Sequence, residues 1–502
     1  MKKIYLSILV LASFLFSCEG NLEPNVYDKL TGENFPKTPA DAESLVYSVY
    51  YKFRGGEWDR YNSANDSRMV QGEFCTDEFT CIWNGYWGSP FNFTWRPDEF
   101  PFSKMYYDFV PAVTTATSAI YKLNNMGSII EKELLKRYIA ELKVARAYFM
   151  YDLYNLYGPV PVITDEADIP NLNKLGYKER PTKEQMVGLI KADLTEEIIS
   201  SLPEKCRDSE YGRMDQGAAW MCLLKLSLHE KDWNNVIKCA DAIKALGYDL
   251  EDNYKSIWSI DNEQNNEIIF PIVCKPTPEG VGNNFRAHVL PPDWKSPNGY
   301  PSEGWNGYKV PKEFYDTFDK DDKRLETLID KYINKDGDEI SAIKTHSGAL
   351  PLKYSEDPAG TGANQGVDYV IYRYADVVLA KAEALNEING PTQEAIDLIN
   401  DIRERAFGDN SHNIILSDFT GDRDKLREHI LKERGWEFFF EGLRREDLIR
   451  HGKFVTYAND PSKMGNRNPQ KNAKDFHVLY PIPNKVIVES GGIIKQNPGY
   501  DY

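Results

Sequence analysis

Two sets of residue types in this 502-residue chain have spacings that could do chemistry. The first is carboxylates at helical intervals. Glu433, Glu437 and Glu441 recur every four residues in LKERGWEFFFEGLRREDLIRHGKF, from Leu431 to Phe454, and Asp376 and Glu383 share a second apolar-periodic stretch. A glycoside hydrolase works with paired acids, one protonating the leaving oxygen and one attacking or activating water across a sugar-sized gap. Acids on one face of one helix do not enclose such a gap. Arg434, Arg444, Arg445 and Arg450 lie in the same stretch, beside the apolar bulk of Phe438, Phe439 and Phe440. An unpaired buried charge costs several kcal/mol, so the segment reads as one buried helix whose acids these arginines neutralise within the fold. No G-x-S-x-G, H-E-x-x-H or P-loop pattern occurs, so no catalytic residue is assigned, no cofactor is expected, and the chain is read as not an enzyme.

The second set is aromatic. Between residues 74 and 107, Trp83, Tyr86, Trp87, Phe91, Phe93, Trp95, Tyr106 and Tyr107 stand among Gly and Pro breaks, and Trp294, Tyr300, Trp305 and Tyr308 do so between residues 291 and 315. Single rings in such loops commonly plug the loop onto the body. Taken as a set they predict a sugar platform, because a pyranose presents an apolar C–H face while its hydroxyls need polar partners. Trp83, Trp87, Trp294 and Trp305 are the first stacking candidates, with Tyr300 and Tyr308 next; Asn84, Asn283, Asn284, Arg286 and Asn298 are the candidates for edge hydrogen bonds. If each stacked ring removes roughly 60 Å² of apolar surface from water, it contributes about 1.5 kcal/mol at ~25 cal/mol/Å². Three rings, less association costs, correspond to a Kd of order 0.1 to 1 mM.

Metal chemistry finds little support: no C-x-x-C or H-x-x-x-H spacing occurs, the seven histidines are scattered, and no metal is assigned. Lys335-Asp336-Gly337-Asp338 imitates part of a calcium loop without the final acid and reads better as a hairpin turn at Asp336-Gly337. Gly360-Thr361-Gly362 with Gly366 has no preceding strand to make it a nucleotide loop and reads as a plain loop. Cys222 and Cys239 fit as small buried apolar residues; Cys75 and Cys81, in a loop-like stretch, could close a short disulfide.

The elements that must position these loops are helical and come in pairs. Ile139, Leu142, Ala145, Phe149, Leu153 and Leu156 form a stripe at spacings of three and four, closed by Gly158-Pro159. Met214 to Leu246 reads as a hairpin turning at Lys231-Asp232, with Ala218, Ala219 and Leu223 facing Trp233, Ile237, Ala240 and Ile243. Tyr372 to Glu387 and Thr392 to Ala406 read as another, joined by Gly390-Pro391. The alternation of small and aromatic residues predicts tetratricopeptide-like hairpin repeats, hence a mainly α superhelical scaffold with long loops and small β-hairpins inserted.

The formal charge of −17 disfavours nucleic acid and anionic surfaces as partners. Lys2 and Lys3, an apolar run from Ile4 to Phe16, and Leu15-Phe16-Ser17-Cys18 have the layout of a lipoprotein signal peptide over residues 1–17, which would make Cys18 the lipidated first residue. The run is too short for a membrane span, which takes about 20 residues.

Three ordered motifs carry a family resemblance. RGWEFFFEGLRREDLIR, then LYPIP from Leu479 to Pro483, then QNPGY from Gln496 to Tyr500 resemble the closing elements of the SusD/RagB family. AELKVARAYFMYDLYNLYGPVPV and YRYADVVLAKAEALNE resemble its helices in both halves of the chain. The resemblance implies one SusD-like body over residues 18–502, with an N-terminal portion at about 18–220 and a C-terminal SusD/RagB portion at about 260–502. It also implies a non-catalytic, surface-exposed lipoprotein of the outer membrane. Such a protein binds oligosaccharide or polysaccharide and delivers it to a SusC-like TonB-dependent transporter. Peptide capture by the same architecture and, behind it, a secreted glycoside hydrolase are the alternatives.

Overall fold

The computed structural model describes residues 35–54, 67–83, 87, 89–276 and 282–500. The signal peptide, Cys18 and Asn84 lie outside the described residues. Apolar residues at helical spacing build hairpins that pack on one another. Helix Phe100–Asn124 pairs with Lys132–Tyr157, Gln216–His229 with Trp233–Ala245, and Tyr374–Asn389 with Gln393–Phe407. Lys132–Tyr157 then meets Gln216–His229, Trp233–Ala245 meets Tyr374–Asn389, and Tyr374–Asn389 meets Arg423–Phe438, so the hairpins follow one another as a helical repeat. Local chemistry sets the boundaries. Asp215 and Thr392 accept the amides of Ala218 and Ala395 as N-caps, and Gly158 and Gly390 end their helices at φ 72° and 76°. Tyr372 and Arg373 belong to a strand rather than to the helix that follows them, which starts at Tyr374.

The insertions carry the small β structure. Ile268–Ile272 pairs antiparallel with Tyr369–Arg373 across nearly a hundred residues of loop, Thr80–Cys81 with Tyr308–Lys309, Leu328–Ile329 with Leu350–Pro351, and Lys331–Ile333 with Glu339–Ser341. The last is the hairpin expected at Asp336-Gly337, with Gly337 at φ 93°. Cys75 is buried, Cys81 is half-buried, and both are free thiols. No described helix is long and apolar enough to cross a membrane.

The signature segment departs from a single helix. It runs as Arg423–Phe438, breaks, and resumes as Arg444–Arg450. Phe440 at φ 65° and Gly442 at φ 80° make the break. Only glycine fits at 442: a Cβ there would lie 2.7 Å from Cα of Met69, and its N–H donates to Glu73 Oε1 at 2.6 Å. The arginine pairing also differs from the local reading, because the partners come from distant elements. Glu437 accepts from Arg373, Arg405 and Arg324; Glu433 from Arg324 and Arg403; Glu441 from Arg373 and Lys353. Arg434 instead pairs with Asp376 and Asp447, Arg450 with Glu383 and Asp447, and Arg444 with Asp77, while Arg445 donates to the carbonyl of Val478.

Burial alone would raise the Glu437 carboxyl, yet Arg405, Arg373 and Arg324 hold it well below its ordinary value. Asp376, flanked by Lys225 and Arg434, is held low in the same way. The carboxylates that could have served a hydrolase are therefore buried anions committed to guanidinium and ammonium partners.

Candidate functional site

The triple phenylalanine divides its rings between the ion network and the aromatic loops. The Phe438 ring lies 4.7 Å from the Arg373 guanidinium and Phe439 lies 4.1 Å from Lys353 Nζ, so two rings bed the cations. Phe440, turned away by its positive φ, enters an aromatic cluster instead, 5.4 Å from Phe79, 5.6 Å from Phe285 and 6.1 Å from Tyr308. That cluster is the base on which the outer tryptophans stand.

The outer layer is built from two crossing segments. Strand Thr80–Cys81 pairs with Tyr308–Lys309, which brings Trp83 beside residues 305–308, and Ile82 N–H donates to the carbonyl of Gly307 at 3.0 Å. Residues 305–307 are themselves tied to residues 287–290: Trp305, Asn306 and Gly307 donate to the carbonyls of Ala287, Leu290 and His288 at 2.7, 2.9 and 2.7 Å. Trp83 Nε1 donates to the carbonyl of Trp305 at 2.8 Å and Trp305 Nε1 to Glu303 at 2.6 Å, so both indoles are held at their polar edges. Between them His288 sits 5.5 Å from Trp83 and 4.8 Å from Trp305. Burial pushes the His288 imidazole down to about 4, so at neutral pH it is an uncharged ring in an aromatic wall. Trp83 and Trp305 are half-buried, and Tyr300 is 37% exposed.

The remaining sequence candidates are placed otherwise. Tyr308 is fully buried beneath Trp83, and Trp87 is buried edge-on to Trp83 at 5.4 Å, so both support the layer and offer a ligand no face. Trp294 is buried in its own stack, 5.5 Å from Tyr332, which lies 5.9 Å from His346. The polar candidates are mostly structural. Asn283 donates to Val367 and accepts from Phe285 N–H, Asn284 is buried with its carbonyl against His288, and Arg286 is buried against Glu356 and the carbonyl of Tyr354. Asn298 is exposed and reaches Glu356 at 3.0 Å.

Sequence reasoning missed Glu356, Glu303 and Asn306. One oxygen of Glu356 accepts from both Ser296 and Asn298 at 3.0 Å, and Ser296 Oγ in turn receives the amide of Tyr300, so this carboxylate holds the loop that presents Tyr300. Asn306 takes φ 56°, which turns the chain between Trp305 and Gly307. Its Nδ2 lies 3.1 Å from His346 Nδ1. An asparagine within the run Gly304-Trp305-Asn306-Gly307 was the available signal for that turn.

A buried carboxyl cluster lies under the same loops. Glu73, hydrogen-bonded to Glu78 and to Gly442 N–H, has its carboxyl pushed by burial up to about 8. The unfolded chain releases that proton near 4.5, so the folded state holds more protons between the two values and stability falls as pH rises through this window. Glu73→Gln cannot ionise. Relative to the parent it is expected to gain thermal stability at pH 9 and to gain none at pH 5; an equal change at both pH values would remove the proton from the explanation.

A helical-repeat scaffold whose loops raise a hydrogen-bonded tryptophan layer is the arrangement these residues build, and comparison with known proteins agrees with the scaffold. Residues 330–500 match the model of the SusD family. SusD-like protein P2 from Formosa agariphila is 26% identical over 100% of both chains, and the starch-binding protein SusD from Bacteroides thetaiotaomicron is 20% identical over 98% of this chain and 97% of its own. Among solved structures, surface glycan-binding protein A from Bacteroides thetaiotaomicron in complex with laminarihexaose superposes with a TM-score of 0.74 at 20% identity, covering 92% of this chain and 100% of that one. The family match thus lies in the C-terminal part of the chain, and the likeness to SusD-like relatives and to the fold of the solved structures extends over more than nine-tenths of it.

Proposed function

We propose that the protein is a non-catalytic glycan-binding lipoprotein of the outer membrane that stacks sugar on Trp83, Trp305 and Tyr300 and passes it to a SusC-like TonB-dependent transporter. The observation that carries this reading is the pair of indoles locked at their N–H edges with part of each ring left in solvent. Holding the rings in place removes the rotamer cost of ordering them around a ligand. A starch-binding relative and a laminarihexaose-bound neighbour support sugar as the ligand class. Residues 1–17 then act as signal peptide and Cys18 as the lipid anchor of a single body over residues 18–502. Glu303 and Asn298 replace the buried amides as the polar edge of the site.

A panel of neutral polysaccharides in affinity electrophoresis, with oligosaccharide calorimetry on the purified protein, tests the reading. Expected are retardation by at least one polysaccharide, a Kd of order 0.1 to 1 mM for its oligosaccharide, and no sugar release. Retardation by none, or cleavage of the bound glycan, overturns it. Peptide capture draws on a different feature, a 540 Å³ cleft lined by Asp249, Glu251, Asp252, Glu326, Asp401 and Glu404 that would attract a basic peptide; a lysine-rich peptide in the same panel separates the two.

A further inference from the structure

An 870 Å³ cavity opens where the loop at residues 93–98 meets the C-terminal segment. None of the platform residues lines it. Its floor is a second ring cluster: Phe476 lies tilted against His477 at 4.1 Å and meets Tyr500 edge-on at 4.8 Å, with Phe93 and Trp95 packed behind His477 at 5.3 and 4.7 Å. Of these rings only Phe476 keeps an exposed part. Around it stand Arg96 and Lys474, both exposed and neither ion-paired with a described residue. Asn484 is exposed with its side-chain amide unengaged, and its backbone N–H caps Asp98, the one acid in the lining, at 3.2 Å.

The chain carries a formal charge of −17, so cations gathered at one cavity with a single acid in its lining run against the overall balance. Arg96, Lys474, the Phe476 ring and Asn484 line one cavity within the ~300–1,000 Å³ span of ligand sites, which brings two cations, an aromatic ring and an amide to a single recess. Guanidinium and ammonium groups bind carboxylate through charge-assisted hydrogen bonds, the Phe476 face suits an apolar pyranose C–H surface, and the Asn484 amide suits a ring hydroxyl. An inorganic anion would use only the cations and leave the ring and amide idle.

We infer that this cavity is a second saccharide site, selective for a carboxylate-bearing sugar unit of the uronic acid class and independent of the tryptophan platform.

Calorimetry of the full chain with trigalacturonate, maltotriose and tetraglutamate tests it. Trigalacturonate is expected to bind at low salt with an affinity that weakens as salt rises, and the double variant R96Q/K474Q to lose at least tenfold of it. Maltotriose shows no such salt dependence. Trp305→Ala leaves trigalacturonate binding intact while weakening any neutral glycan bound at the platform roughly tenfold, and R96Q/K474Q does the reverse, so failure of one site is distinguishable from failure of the other. Absence of trigalacturonate binding, binding that R96Q/K474Q leaves unchanged, or tighter binding of tetraglutamate overturns the assignment.

Discussion

Arg373→Met is expected to lower the unfolding free energy by about 3–5 kcal/mol, the range for removing one partner from a buried ion pair. Arg373 is 1% exposed and donates to Glu267, Glu437 and Glu441 as well as to the Glu437 carbonyl. Methionine keeps much of its volume, so the loss reports charge rather than a cavity. The carboxylates left behind retain Arg405, Arg324 and Lys353, but each was balanced with Arg373 in place. Lys381→Met is the control. Its partners Asp241 and Glu394 are more than half exposed on their side chains, and surface pairs contribute about 0–1 kcal/mol. Urea unfolding of the two variants decides the matter: a loss for Arg373→Met no larger than that for Lys381→Met would mean that the network does not hold the C-terminal half together.

The same network fixes the acid limb of stability. Glu433, Glu437, Asp376, Glu383 and Asp447 all have folded values below their ordinary ones. Their contribution is complete above about 4.5, the unfolded glutamate value, and is lost as pH falls through the lower folded values. Glu73 acts with the opposite sign at higher pH, so the two groups together place maximal stability in the mildly acidic to neutral range.

What the sequence made legible follows from the distance over which each interaction acts. Helical stripes such as Leu142, Ala145, Phe149 and Leu153 are local periodicities, and each of these residues is buried in the helix they predict. The Gly390-Pro391 junction and the Asp336-Gly337 turn are local too. The partners of Glu437 lie 32, 64 and 113 residues away, a separation to which no local spacing is sensitive. The helix break at Phe440 depends on Gly442 meeting Met69 and Glu73 across the fold. Ring type alone was also insufficient. Trp83 and Trp87 differ by four positions in the same loop, yet one reaches solvent and the other does not, because Trp87 packs on Phe74 and Tyr308.

Gly307→Val is expected to abolish glycan retention without unfolding the protein, a larger effect than truncating one indole. A Cβ at residue 307 would stand 2.5 Å from Cζ2 of Trp83 and 2.6 Å from Cε2, so any side chain there displaces the ring. The displaced indole would also leave its hydrogen bond to the Trp305 carbonyl, loosening the segment that carries the second ring. Trp305→Ala by contrast removes one stacked face, about 1.5 kcal/mol or roughly tenfold in Kd. Far-UV circular dichroism of Gly307→Val should match the parent, since residue 307 lies outside the helical hairpins. Retained binding in Gly307→Val with Trp83 displaced, read from a shift in tryptophan emission, would place the sugar elsewhere than on this layer. Loss of binding in both variants, graded in this order, would tie the affinity to the mutual bracing of the two indoles.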